Sequence, residues 1–253
     1  MATKLKYFRS FITGVIIASA TLISCAQTTD KVKDDDFVSL FDGRSLEGWE
    51  GDETVFRVED GLIVGGTLES PILQREYLCT IREYDDFELR IKAKVEGDQN
   101  SGIHFRSYRL PESNEVAGYQ ADVGFAPGKI IMMLSDVKDI DKAKAYPLWG
   151  TLFDQFRVGL GSERYHSKKN PFRLLDVADR DIVDNIYMEA DWNQLTITAV
   201  GPRIEIRLNG VLTSEYEEQL DLVQDGFICL QSHDGPPSKV SFKDIEIREL
   251  MGQ

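Results

Sequence analysis

From Phe87 to Val95 the chain reads FELRIKAKV, with apolar and charged side chains alternating over the whole stretch. Alternation with a period of two places one set of side chains on each face of an extended strand, so this segment is a strand with one dry face. Similar patterns predict strands at Val55–Val58, Leu62–Val64, Tyr77–Ile81, Tyr119–Val123, Lys129–Met133, Gly226–Gln231 and Val240–Ile247. Trp192–Val200 alternates less cleanly, and Arg203–Leu208 follows it after Gly201-Pro202. Asn209-Gly210 then forms a tight turn into Val211-Leu212, since both central positions of a type I′ turn need positive φ. Helical periodicity is confined to short stretches near 138–145 and 176–184. Many short strands without a strand–helix rhythm predict an all-β protein, a β-sandwich of antiparallel sheets formed by a single domain over residues 37–253.

Two of these strands carry chemistry. In Gln99-Asn100-Ser101-Gly102-Ile103-His104-Phe105-Arg106-Ser107, alternation sets Ile103 and Phe105 on one face and His104 and Arg106 on the other. In Gly118-Tyr119-Gln120-Ala121-Asp122-Val123-Gly124, Gln120 and Asp122 lie opposite Tyr119, Ala121 and Val123. If the strands are neighbours, His104, Arg106, Gln120 and Asp122 share one sheet face, and Gly102 and Gly124 leave room for a ligand there. The plainer reading is the wet side of a sheet with a modest Arg–Asp ion pair. The other histidines are His233, where a strand runs out into Asp234-Gly235-Pro236, and His166, in a polar stretch that reads as a loop. Trp49, Tyr108, Tyr119 and Trp149 could stack on sugar rings, although each also suits a core.

Charge and composition narrow the partners. The formal net charge of the 253-residue chain is −14, and an acidic surface repels phosphate, which excludes nucleic acid as a partner. Lys4, Lys6 and Arg9 precede an apolar run, Phe11–Ile23, that is short for a membrane span. The run ends in Leu22-Ile23-Ser24-Cys25, which resembles the bacterial lipobox. That resemblance implies a signal over residues 1–24, cleavage before Cys25 and a lipid on Cys25. Residues 25–36 then tether the domain to a membrane of the cell envelope, with the protein periplasmic or surface-exposed. An ordinary signal peptide with a chance cysteine is the alternative. Cys79 and Cys229 lie in apolar strand-like runs, where a disulfide and two buried thiols are both open.

Taken in order, Phe41-Asp42-Gly43, Asn100-Ser101-Gly102-Ile103-His104-Phe105-Arg106, Gly118-Tyr119-Gln120-Ala121-Asp122, Trp149-Gly150-Thr151-Leu152-Phe153-Asp154, Asp191-Trp192-Asn193, Leu208-Asn209-Gly210 and Leu230-Gln231-Ser232-His233 resemble the 3-keto-disaccharide hydrolase domain family. The resemblance runs through almost all of the chain after the tether and implies a concanavalin A-like jelly roll with a concave ligand face. It also implies an exported hydrolase acting on 3-keto-glycosides. A carbonyl at C3 acidifies the C2 proton, so a base can remove it, the group at C1 can leave, and water can add back. That sequence needs a base, an electrophile for the developing enolate and an acid for the leaving group.

By chemical type, His104 or His233 would move the proton, Arg106 would stabilise negative oxygen, and Asp122 and Gln120 would orient hydroxyls. Asn100, Tyr119, Trp149 and Asp154 complete the expected substrate contacts. A divalent metal held by His and Asp is the alternative electrophile, although no ligand spacing demands one. Around residues 155–185 the chain departs from the family pattern, which leaves substrate choice open there. A noncatalytic carbohydrate-binding lipoprotein is the alternative reading, since jelly rolls host both functions.

Overall fold

The computed structural model describes residues 36–97, 100–129, 145–157 and 172–250. The signal, Cys25, residues 130–133 of the expected strand, residues 138–144 of the expected helix and His166 all lie outside these residues, and Ala145 begins a strand. In chain order the strands begin with β1 (Val38–Ser39), β2 (Trp49–Glu50), β3 (Phe56–Glu59), β4 (Leu62–Thr67) and β5 (Glu76–Thr80). Next come β6 (Phe87–Glu96), β7 (Asn100–Arg109), β8 (Val116–Pro127), β9 (Ala145–Pro147), β10 (Leu152–Gln155) and β11 (Phe172–Asp176). After the helix α1 (Arg180–Ile186) follow β12 (Asn193–Val200), β13 (Arg203–Leu208), β14 (Val211–Glu217), β15 (Phe227–Ser232) and β16 (Ser238–Glu249).

They form two antiparallel sheets. The first runs β14-β13-β12-β6-β16-β4-β3, with β1 added beside β16. The second runs β11-β10-β8-β7-β15-β5-β2, with β9 added beside β8. The all-β sandwich expected from the alternation is therefore the observed fold. Leu89, Ile91 and Ala93 of β6, Leu195 and Ile197 of β12, and Phe242 of β16 face Ile103, Phe105, Tyr119, Ala121, Ile228 and Leu230 of the second sheet across a dry core. Phe105 stacks on Tyr119 and meets Phe87 edge-on, with ring centroids 5.5 and 6.1 Å apart.

The two sheets differ in what lies on their outer faces. Along β6, buried residues alternate with half-buried ones, as a strand with one solvated face should. Along β7 and β8 nearly every residue is buried, polar ones included. Asn209 and Gly210 both take positive φ (48° and 86°), giving the turn expected between β13 and β14. The helix expected at 176–184 begins later because Asp179 caps it, its carboxylate accepting from the amides of Asp181 and Ile182.

Cys79 and Cys229 face one another directly across β5 and β15 and are joined as a disulfide. The cross-strand register settles what their sequence setting left open.

Candidate active site

Register assembles the site. His104 on β7 lies opposite Gln120 on β8 and Cys229 on β15, while Gly102 lies opposite Asp122, and Gln231 opposite Tyr77. All project from the outer face of the second sheet, so the neighbouring strands expected from the sequence do meet.

A chain of amides runs across this face. Asn100 Nδ2 and Gln120 Nε2 both donate to Oδ1 of Asp122, at 2.7 and 3.0 Å. Gln155 of β10 donates in turn to the side-chain oxygen of Gln120. Gln231 Nε2 donates to the Tyr77 hydroxyl at 3.1 Å, and that hydroxyl donates to Glu115 at 3.0 Å. The space that Gly102 leaves is taken up by the Gln120 side chain, since a Cβ there would lie 2.4 Å from its amide nitrogen. This glycine therefore makes room for a protein amide.

His104 is wholly buried, its ring 5.0 Å from Tyr77 in an edge-on contact. Neither ring nitrogen has a hydrogen-bond partner among the described residues. Oε1 of Gln155 and Oε1 of Gln231 are likewise buried and unpartnered. Buried polar atoms are almost always paired, because each unpaired group costs on the order of 1–3 kcal/mol. Orphans from three strands on one face therefore mark a place built for polar groups that the described residues do not supply.

Burial also sets the charge of this face. It pulls the His104 imidazole down to about 3, with the nearby Arg75 and His233 acting in the same direction, so the ring is neutral at pH 7. Burial pushes Asp122 up to about 8 despite its two amide donors, so its carboxyl is mostly protonated at pH 7. His233 lies at the rim, partly exposed, with Nδ1 2.7 Å from the carbonyl oxygen of Asp234. Its pKa is lowered, chiefly by burial. Arg75 pairs with both Asp234 (3.0 Å) and Glu115 (3.4 Å), linking this rim to Tyr77.

Four expected contacts lie elsewhere. β7 carries a bulge between Phe105 and Tyr108 in which Arg106 takes a φ of +49°. One extra residue reverses the side-chain alternation, and Arg106 leaves the His104 face. Its guanidinium donates to Asp85 O (3.1 Å), Gly201 O (2.6 Å) and Asp86 Oδ1 (3.0 Å), clamping the β5–β6 loop to the β12–β13 turn. Gly226 makes room for the bulge, since a Cβ there would stand 2.5 Å from both the Arg106 carbonyl carbon and the Ser107 nitrogen.

Tyr119 points into the core, as its alternation required, and its hydroxyl donates to Glu218 at 3.0 Å. Asp154 pairs in register with Tyr119 and shares its inward direction. There it binds Arg173, which also reaches Glu218 at 2.7 Å. Trp149 is fully buried in the core, 5.3 Å from the Tyr187 ring. The segment around it positions Asp122: the Asp122 amide donates to Thr151 O (2.9 Å), and the Gly150 amide donates to Asp122 O (3.0 Å).

Tyr77, Gln155 and Gln231 belong to this face, yet sequence reasoning passed over them. Tyr77 and Gln231 lay inside strands already predicted, at positions of the right parity. What was missing was the pairing that put those strands beside β7. Among the described residues no three His, Cys, Asp or Glu side chains converge as a metal-binding group.

A sandwich of two antiparallel sheets is the architecture of a jelly roll. Residues 36–248 match the sequence profile of the 3-keto-alpha-glucoside-1,2-lyase-like domain, and the chain belongs to this 3-keto-disaccharide hydrolase family. No protein of curated function matches it in sequence. Among solved structures it is similar to a "putative glycosyl hydrolase" from Parabacteroides distasonis, with 18% identity, TM-score 0.54, and coverage of 86% of this chain and 95% of that one. It is also similar to the carbohydrate-binding module CBM66 from Bacillus subtilis, at 13% identity, TM-score 0.53, and coverage of 80% and 96%. A legume lectin-like domain from Entamoeba histolytica aligns at 13% identity, TM-score 0.53, and coverage of 85% and 97%. These likenesses establish a lectin-like jelly-roll fold.

Proposed function

We propose that the chain cleaves 3-keto-glycosides by elimination on the outer face of the second sheet. The observation that carries the reading is the set of orphaned buried atoms around His104 in a chain of this family. In this scheme His104, neutral at pH 7 and without a hydrogen-bond partner among the described residues, takes the C2 proton of the bound sugar. The electrons of the C2–H bond pass into the enolate of the C3 carbonyl. They return as the C1=C2 double bond forms and the C1–O bond breaks, and the leaving oxygen takes up a proton. Addition of water across C1=C2 completes net hydrolysis; stopping before it makes the protein a lyase.

Arg106 is committed to the clamp, so a different group must meet the enolate oxygen. Asp122 fits that role: it is a carboxylic acid held neutral by burial, and such a group donates a hydrogen bond where charge develops. Asn100 and Gln120 fix its orientation from the Oδ1 side. In this scheme His233, at the rim, protonates the leaving group. Cleavage of methyl 3-keto-α-glucoside in deuterated water tests the scheme. Release of methanol with deuterium at C2 is the expected result, lost in His104→Ala. An unsaturated keto-sugar with no hydrogen at C2 marks the reaction stopped at elimination, whereas release with the original C2 proton retained rules out proton abstraction.

A second reading, a noncatalytic sugar binder, is favoured by the charge state of the same face. With His104 neutral and Asp122 protonated, the face presents amides and uncharged groups suited to hydroxyls. Saturable binding without product from any 3-keto-glycoside would select it.

A further inference from the structure

The outer face of the first sheet carries its charge unevenly. On the paired strands β6 and β16, Arg90, Lys92, Lys94, Lys239, Lys243 and Arg248 point outward between core residues, against Glu88, Glu96, Asp244 and Glu246. Two of these carboxylates are shared. Glu96 serves both Lys94 (3.8 Å) and Lys239 (3.2 Å), and Glu88 serves both Arg90 (3.2 Å) and Arg248 (2.5 Å). Lys92 has Asp244 at 2.9 Å. Lys243 has no carboxylate partner among the described residues, and its ammonium lies 4.2 Å from the centre of the Trp192 ring, with that of Lys94 at 5.8 Å. A chain of net charge −14 thus keeps a basic strip along the middle of one sheet.

The chain enters the domain on this strip. Phe37, directly before β1, has two guanidinium groups over its ring, Arg90 at 4.0 Å and Arg248 at 4.6 Å from the centre. The lipid expected on Cys25 therefore pulls on this face, while the His104 face lies on the far side of the core. Residues 25–36 span at most about 40 Å when fully extended, which keeps the strip within reach of the bilayer.

We infer that the strip rests on the anionic headgroups of a membrane, with Trp192 at the interface, so that the His104 face is turned away from the lipid. Stacked sheets stand about 10 Å apart, more than the screening distance of about 8 Å at physiological ionic strength. Headgroups therefore meet the charge of this face and little of the acidic remainder. Each basic side chain near an anionic surface adds about fivefold to binding. The indole of tryptophan, apolar in its ring and polar at its N–H, favours the headgroup level.

The whole core, from Trp49 to Ile247, follows the tether, so the unlipidated chain from Ala26 onward folds by itself. Its sedimentation with vesicles of equal parts phosphatidylglycerol and phosphatidylcholine, against phosphatidylcholine alone, reads docking without the anchor. Binding should be at least about tenfold tighter to the anionic vesicles and should weaken with added salt. Lys243→Glu should lower it about tenfold. Arg180→Glu makes the same charge change at an exposed site on α1 and should leave binding within about twofold. Trp49 and Trp149 are buried, so quenching of tryptophan emission by brominated phosphatidylglycerol should come from Trp192 and disappear in Trp192→Phe. No preference for anionic vesicles, equal losses in the two charge variants, or quenching that persists in Trp192→Phe would overturn the assignment. Binding that appears only after Asp34, Asp35 and Asp36 are replaced by asparagine would also overturn it, by giving the strip to the tether's own carboxylates. None of these readouts depends on turnover at the His104 face.

Discussion

Replacing His104 by leucine separates a binding histidine from a core histidine. A buried imidazole that holds the fold together does so through its hydrogen bonds, and removing it costs about 1–3 kcal/mol for the partners left behind. His104 has no such partners among the described residues. Leucine relieves the desolvation of a donor and an acceptor, on the order of 1–3 kcal/mol, and forfeits the edge contact with Tyr77, worth about 0.5–1.5 kcal/mol. The net expectation is between no change and a gain of about 2 kcal/mol. For a chain of this size that corresponds to a melting temperature higher by up to about 8 °C. Urea unfolding at pH 7.5, with the slope m checked for constancy, reads the stability directly. Glycoside binding or cleavage should fall at least tenfold in the same variant. A loss of more than about 2 kcal/mol with m unchanged would refute the reasoning, because it would mean that the imidazole is held by the fold.

Arg106→Ala should do the opposite, costing about 3–5 kcal/mol because Asp86 and two carbonyls lose a buried cationic partner; thermal melting checks this. Reducing the Cys79–Cys229 bridge, which spans 150 residues of sequence, should cost about 2–5 kcal/mol, read as an earlier urea midpoint with reductant present. Asp122 has its folded pKa raised to about 8, so between the ordinary carboxylate range and pH 8 the folded state holds a proton that the unfolded state has lost. Stability contributed by this group therefore falls as pH rises towards 8. The lowered histidines act in the opposite sense only below about pH 6.5, so the window from 6.5 to 8 isolates Asp122. Asp122→Asn should flatten the decline there, and wild-type cleavage should weaken through the same window. We also propose envelope anchoring: Cys25→Ala should move the protein from the membrane fraction to the soluble fraction and abolish labelling by a fatty-acid analogue.

Much of the fold was legible because alternation is a local property. Whether Leu89 or Arg90 faces the core depends on backbone geometry and on solvation of the next side chain, and both act within a few residues. The same rule gave His104, Gln120 and Asp122 their common side, and Asn100 its place beside Asp122. It correctly set Tyr119 on the inward side, so its expected role as a sugar contact failed by the logic of its own strand. Asp154 failed for a different reason. Its strand is too short for parity to show, and only pairing with Tyr119 reveals its direction.

The sequence by itself determined the all-β architecture, the turn at Asn209-Gly210, and the family, whose resemblance runs along almost the whole domain. Only the tertiary structure decided which polar groups meet. The bulge at Arg106 depends on Gly226, Asp86 and Gly201, residues distant along the chain, and one added residue there moves a guanidinium from one face to the other. The disulfide depends on the register between β5 and β15. Strand pairing is non-local, while periodicity records only what each residue's nearest neighbours impose, so the alternation shows the faces of strands and the folded sheet shows which of those faces make a site.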